Sequence, residues 1–139
     1  MGLNEALLDE HLAAENEHQL DRIMATYGAQ PVIVLNGQRI EGSDAIREFH
    51  RGFGFGGAGS FSEVRVDERA RHRAPDAIVI EQTLSGVHTG PWKKLAATGK
   101  RFEVSVCTVY RFDAAGRLAS EHVYLDFAWI ERQLTRPPS

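Results

Sequence analysis

Apolar residues recur at helical spacing from the start of the chain. Leu3, Ala6, Leu7, Leu8 and Leu12 form one stripe, which predicts an amphipathic helix. A second stripe, Leu20, Ile23, Met24 and Tyr27, predicts a second helix. Asn16 is its expected N-cap, with Gln19 three positions on as the reciprocal partner of a capping box, and Gly28 ends it. The pattern then shortens. Val32 to Leu35 is a β-rich run, Asn36-Gly37 is the dipeptide that favours a two-residue turn, and Gln38 to Glu41 returns. Ser43 is placed to cap a third helix that carries Ala45, Ile46, Phe49 and Phe53.

Period-two patterns dominate the rest. Strands are expected at Ser62–Glu68, Ala77–Val87, Arg101–Phe112 and Arg117–Asp126, the last two joined through Asp113-Ala114-Ala115-Gly116. Trp129, Ile130 and Leu134 predict a final helical turn stopped by Pro137-Pro138. Helices first and strands after give an α+β class rather than alternating βαβ units.

Residues 52–60, rich in glycine, fit G-x-G-x-x-G at Gly52, Gly54 and Gly57. A dinucleotide site needs a strand before that motif and a helix after it. Here the order is reversed, so the segment reads as a loop whose two phenylalanines can cover a pocket.

At 139 residues the chain fits one domain, 1–139. Sixteen Lys and Arg against nineteen Asp and Glu give a net charge of −3, which argues against a nucleic-acid partner. The basic cluster Arg69, Arg71, His72 and Arg73 reads as a solvated loop. No run approaches ~18 apolar residues, so no membrane span is expected. Met1-Gly2 opens a stretch without a basic n-region, so a secretory signal is not expected. Ala6 stands where myristoylation wants Ser or Thr. The single Cys107 fits a reducing, cytoplasmic setting and reads as a small packing residue.

Alternation puts His122, Tyr124 and Asp126 on one face of the last strand and Glu121, Val123 and Leu125 on the other. A histidine, a phenol and a carboxylate together can do general acid/base chemistry; the plainer reading makes Asp126 a helix cap. On the central strand Ile78, Ile80, Gln82, Leu84, Gly86 and His88 share a face directed at a core or pocket; on the next, Phe102, Val104, Val106, Thr108, Tyr110 and Phe112 share a face and Glu103, Ser105, Cys107 and Val109 the other. His11 and Glu15 face the same way on the first helix, but two ligands are too few for a metal, and no metal or other cofactor is expected.

Taken in order, His11-Leu12-Ala13-Ala14-Glu15-Asn16, Gly42 to Phe49, Leu84 to Gly90, Ala97 to Phe102, Tyr110-Arg111-Phe112, Gly116-Arg117-Leu118, Tyr124-Leu125-Asp126 and Gln133-Leu134 resemble the SnoaL-like, polyketide cyclase-like branch of the nuclear transport factor 2-like superfamily. The resemblance implies a cone-shaped barrel, in which a curved, mainly antiparallel sheet wraps around the N-terminal helices, and a homodimer. Such proteins include polyketide ester cyclases, ketosteroid isomerases, epoxide hydrolases, dehydratases and non-catalytic binding modules. The cyclases are thought to use an Asp as acid/base, helped by a His and no cofactor; Asp126, His122 and His88 are the matching candidates here. The Tyr-plus-Asp oxyanion pair of the isomerases and the Asp-Arg-Asp set of the hydrolases are not found.

The expectation is therefore an acid/base enzyme for a small apolar or aromatic carbonyl compound. Asp126, His122 and His88 would transfer protons and Tyr124 would donate a hydrogen bond. Tyr27, Phe49, Phe53, Trp92 and Tyr110 would form the walls. The alternative is a non-catalytic small-molecule-binding or dimeric scaffold protein of the same fold. A mixed outer sheet face with Glu81, Thr83, Ser85, Cys107 and Val109 suits a partly polar dimer interface.

Overall fold

The computed structural model describes residues 3–137; Met1-Gly2 and Pro138 lie outside them. Helix α1 (Glu5–Asn16) starts at Asn4, whose side chain accepts the Leu7 N–H at 3.1 Å. Its buried stripe is Leu8, His11, Ala14 and Glu15, so two ionisable groups enter the interior on an apolar face. Helix α2 (Leu20–Ala25) is shorter than expected. Tyr27 opens β1 (Tyr27–Leu35) instead of closing α2. Asn16 does not cap α2. It ends α1, and its amide exchanges two hydrogen bonds with the Val66 backbone, at 2.9 and 2.8 Å.

Asn36 and Gly37 both take positive φ, 49° and 87°, as a type I′ turn requires, and β2 (Gln38–Glu41) pairs back on β1. Helix α3 (Ser43–Phe53) is entered through Gly42 and buries Ile46 and His50. It stops at Gly54 (φ 130°), where a Cβ would lie 2.0 Å from the Phe61 carbonyl oxygen. The glycine segment is a loop that turns Phe53 and Phe55 inward, where their rings stack.

Strands β3 (Phe61–Ala74), β4 (Ala77–His88), β5 (Arg101–Phe112) and β6 (Leu118–Leu125) follow, and α4 (Phe127–Thr135) closes the chain. Strand β3 runs past the expected end at Glu68. The basic cluster is therefore strand, not loop: Arg71 is held by Glu5, Asp9 and Glu68, and Arg73 by Glu5, which ties β3 to α1. Helix α4 is longer than the single turn expected.

The sheet runs β2-β1-β6-β5-β4-β3. Every neighbouring pair is antiparallel except β1 with β6. It is curved and open, with β2 and β3 as its edges. Two register shifts in β3, after Ser62 and after Glu68, are the kind of irregularity that bends a strand. The concave face carries the alternating set of β4 and β5: Ile78, Ile80, Phe102 and Val104 are buried there, along with the polar Gln82, Thr108 and Tyr110. Helices α1 and α3 cover this face, so the α+β cone expected from the sequence is the fold observed. No helix among the described residues is long and apolar enough to cross a membrane.

Candidate active site

Register decides which face of β6 is inside. Tyr110 of β5 stands opposite Glu121, Thr108 opposite Val123, and Val106 opposite Leu125. Since Val106, Thr108 and Tyr110 belong to the concave face, Glu121, Val123 and Leu125 do too. His122 and Tyr124 pair with Val109 and Cys107 on the convex face.

The concave face encloses an apolar pocket of about 80 Å³, measured as space open to the centres of water molecules. At roughly 10–15 Å³ per water on that scale, it has room for several water molecules. Its walls include Ile33, Leu35, Phe49, Phe53, Phe55 and Leu84. The polar groups that reach it are Glu15, His50, Gln82, Thr108, Tyr110 and Glu121.

Behind these lies a buried ionisable cluster. Tyr27 Oη donates to Glu121 Oε2. His11 Nε2 lies 3.3 Å from Glu121 Oε1 and 3.5 Å from Glu15 Oε2, shared between them without an aligned hydrogen bond to either. His50 Nε2 is 3.5 Å from the same Glu15 oxygen. The other ring nitrogens are fixed. His50 Nδ1 is 2.9 Å from the Ile46 carbonyl, which can only accept. His11 Nδ1 is 2.8 Å from Thr26 Oγ1, whose own proton goes to the Ile23 carbonyl at 2.7 Å. Both imidazoles thus carry hydrogen on Nδ1 and turn Nε2 toward the carboxylates.

Burial opposes charge on His11, but the Glu15 and Glu121 carboxylates outweigh it and hold its pKa up at about 10. Burial pushes Glu15 upward, and His11 and His50 bring it down to about 2. Burial first, then the Glu121 charge, pushes Tyr27 and Tyr110 well above the ordinary phenol value, so both stay protonated donors. Tyr110 Oη accepts from Gln82 Nε2 at 3.2 Å, and the Thr108 hydroxyl also lies within its hydrogen-bonding reach.

The structure separates the residues singled out from sequence. Tyr110, Phe49 and Phe53 line the pocket. Tyr27 sits behind it on Glu121. Trp92 packs on Phe61 and Phe127 and does not line it. Tyr124 is 52% exposed, and neither it nor His122 borders the pocket. Asp126 is exposed and caps α4, accepting the Trp129 N–H at 3.1 Å. His88 is fully covered, its Nδ1 accepting the Thr98 N–H at 3.2 Å, and it too lies outside the pocket lining.

The sequence pattern does not bring three buried polar residues together: it pairs Glu15 only with His11 and marks neither His50 nor Glu121 as a site residue. The signal was present for two of them. His50 follows Ile46 by one helical turn, and Glu15 follows Leu8 by two, so each sits on a core-facing stripe.

No curated protein sequence matches the chain. Its fold is shared with many solved structures. They include TsrD from Streptomyces laurentii (TM-score 0.80, 21% identity, covering 96% of this chain and 95% of that one). A Catenulispora acidiphila protein with a ketosteroid isomerase-like fold, crystallised with trimethylamine, aligns with TM-score 0.78 and 18% identity over 98% and 96% of the two chains. SalBIII, an epoxide hydrolase/cyclase-like enzyme with a role in pyran ring formation in the polyether salinomycin, aligns with TM-score 0.73 and 16% identity over 90% and 92%. At these identities the likeness is one of fold. The family model for SnoaL-like polyketide cyclases, however, matches residues 6–134, nearly the whole chain, and the chain belongs to that family.

Proposed function

We propose that the protein is an acid/base enzyme of the cyclase or isomerase kind, acting on a small, mostly apolar carbonyl compound held in the concave pocket. The observation that carries this reading is the pairing of Glu121 with Tyr110: a carboxylate and a protonated phenol on adjacent strands of one apolar pocket. Tyr110 donates a hydrogen bond to the substrate carbonyl oxygen, and the proton passes to it as the enolate forms. Glu121 removes a proton from the adjacent carbon. The C–H electron pair moves into the enolate, and the proton rests on Glu121. Returning it to another carbon isomerises the compound; attack of the enolate on a second carbonyl closes a ring. Each group of this kind contributes roughly 10²–10⁴-fold.

The proton-transfer role thus passes from Asp126, His122 and His88, which do not border the pocket, to Glu121. Tyr27 and His11 act as positioning residues for its carboxylate. The alternative, ligand binding without turnover, is favoured by one feature: Glu121 is already engaged by Tyr27 and His11.

Exchange in heavy water separates the two. The protein is incubated with a panel of small cyclic and aryl ketones, and deuterium at the α-carbon is followed by mass spectrometry. Catalysed exchange with wild type, cut at least ~10²-fold in Glu121→Gln, supports the enzyme. Ketones that bind the pocket yet exchange no faster than in buffer establish the binding protein.

A further inference from the structure

The contacts in the buried cluster are long for charge-assisted hydrogen bonds and match the spacing of donors around one ion. Glu15 Oε2 stands 3.5 Å from His11 Nε2 and 3.5 Å from His50 Nε2. Charge-assisted hydrogen bonds close to roughly 2.7–2.9 Å. His11 Nε2, on a fully buried ring, makes no hydrogen bond at all. Donors bound tetrahedrally at ~2.0–2.2 Å from one ion stand roughly 3.3–3.6 Å apart. We propose that His11, Glu15 and His50 form a binding site for a divalent first-row transition metal, zinc by its chemistry, with an open position facing the pocket.

Three further observations support it. First, the three donor atoms lie within 4.8 Å of one another and all three residues are buried. Second, each imidazole has the outer partner typical of a metal ligand. The Nδ1–H of His11 meets Thr26 Oγ1 and that of His50 meets the Ile46 carbonyl, so both Nε2 atoms point at the shared space, where a metal would displace the proton that His11 otherwise carries there. Third, the charges suit a dication, because Glu15 and Glu121 both border His11. Two imidazoles and one carboxylate favour zinc over magnesium or calcium, which prefer all-oxygen sets.

The backbone explains why these residues meet. His11 and Glu15 are one turn apart on α1, and His50 arrives from α3, which packs over the same concave face. Glu15 and His50 line the pocket while His11 lies behind. Three protein ligands leave the fourth position to water or substrate, the arrangement of catalytic zinc. An ion there would polarise a carbonyl oxygen next to Tyr110; with His11 Nε2 turned to the metal, Glu121 would keep Tyr27 as its partner and be released from His11 to act as base. The inference therefore builds on the acid/base reading but is tested without turnover.

The test uses chelator-treated full-length protein titrated with Zn²⁺ by calorimetry and with Co²⁺ by visible spectroscopy. One equivalent per chain is expected, with the intense d–d bands of four- or five-coordinate cobalt. His11→Ala and His50→Ala should each weaken binding at least ~10²-fold, since loss even of an outer partner costs 10–100-fold. His72→Ala, on the exposed convex side, should change nothing. Thr26→Ala, expected to lose ~10–100-fold, serves if a ligand variant does not fold. Only the weak spectrum of hexaaquo cobalt, or affinity unchanged in the folded variants, overturns the site. Metal binding without ketone exchange overturns the acid/base reading alone; exchange without metal binding overturns this one alone.

Discussion

Tyr27 and Glu121, ninety-four positions apart, are joined by a hydrogen bond from the phenol to the carboxylate. Tyr27 begins β1 and Glu121 lies in the middle of β6, its parallel neighbour. Both side chains are buried, at 7% and 4% exposure. A carboxylate in such a place is costly unless its oxygens are satisfied. Here one oxygen takes the phenol and the other faces His11, so the carboxylate is held at a fixed angle to the pocket.

Tyr27→Phe removes that donor and leaves a buried acceptor short of a partner. A loss of about 1–3 kcal/mol in unfolding free energy is expected, read by urea denaturation. In a double-mutant cycle with Glu121→Gln the two costs should not add, because they share one interaction. Additive costs would show that the bond contributes nothing.

Asp126→Ala tests the opposite corner. The side chain caps α4, and loss of such a cap costs typically ~1 kcal/mol. Denaturation should show that loss, while the affinity of a ketone bound in the pocket stays the same. A variant with native stability but no pocket binding would return Asp126 to the site.

The contrast between Glu121 and Asp126 shows how far the sequence can be read. Alternation grouped His122 and Tyr124 as neighbours on one face of β6, but the strand ends at Leu125 and Asp126 lies beyond it as the cap of α4. It could not say which side of the sheet was inside, because that depends on Tyr110 pairing with Glu121 across strands. On β4 the run of Ile78 and Ile80 settles the matter locally, and the face expected inside is the observed one; on β5 alternation groups Phe102 with Val104, and the fold buries them. On β6 the bias is present but interrupted: Val123 and Leu125 are aliphatic where the opposite set is His122, Tyr124 and Asp126, yet Glu121 heads the inward row. Helix α2 failed for a related reason, since Tyr27 continues its stripe by spacing yet pairs with β6 as strand. His50 and Glu15 were legible only as polar residues on apolar stripes, and their meeting is a tertiary fact.

Gly54→Ala should be among the most damaging small changes. The backbone there has φ 130°, and the added methyl would meet the Phe61 carbonyl at 2.0 Å. Strain of this type costs about 1–3 kcal/mol before the clash is counted. The thermal midpoint should fall by several degrees, and Phe53 and Phe55 should loosen from the pocket wall. An unchanged midpoint would mean that the loop takes another path at little cost.

The convex face exposes Tyr124 at 52% and Trp129 at 37%, beside the Cys107 and Val109 stretch of β5. A homodimer through this face would cover them. Light scattering at micromolar concentration should give twice the chain mass, and Tyr124→Asp should shift it toward the monomer, since an unpaired carboxylate resists burial. Wild type scattering as a monomer removes this interface.

The last prediction concerns acid and rests on His88. Its Nδ1 accepts the Thr98 N–H at 3.2 Å and lies 3.0 Å from Thr98 Oγ1, so protonating that nitrogen would set it against the Thr98 N–H and leave only the hydroxyl oxygen to receive its proton. Burial also lowers the pKa of His88 below the ordinary histidine value. In the unfolded chain the group returns to about 6.5. As pH falls through that value the unfolded chain takes up a proton first and is stabilised by it. The contribution of His88 is therefore complete above pH ~6.5 and declines as pH drops toward the folded value. Urea denaturation at several pH values between ~5 and ~8 should show wild type losing more stability on acidification than His88→Met. Every other titrating group is common to the two proteins, so the difference between their slopes isolates this one. Parallel slopes would mean that Thr98 turns away on protonation and leaves His88 free to titrate as it does in the unfolded chain.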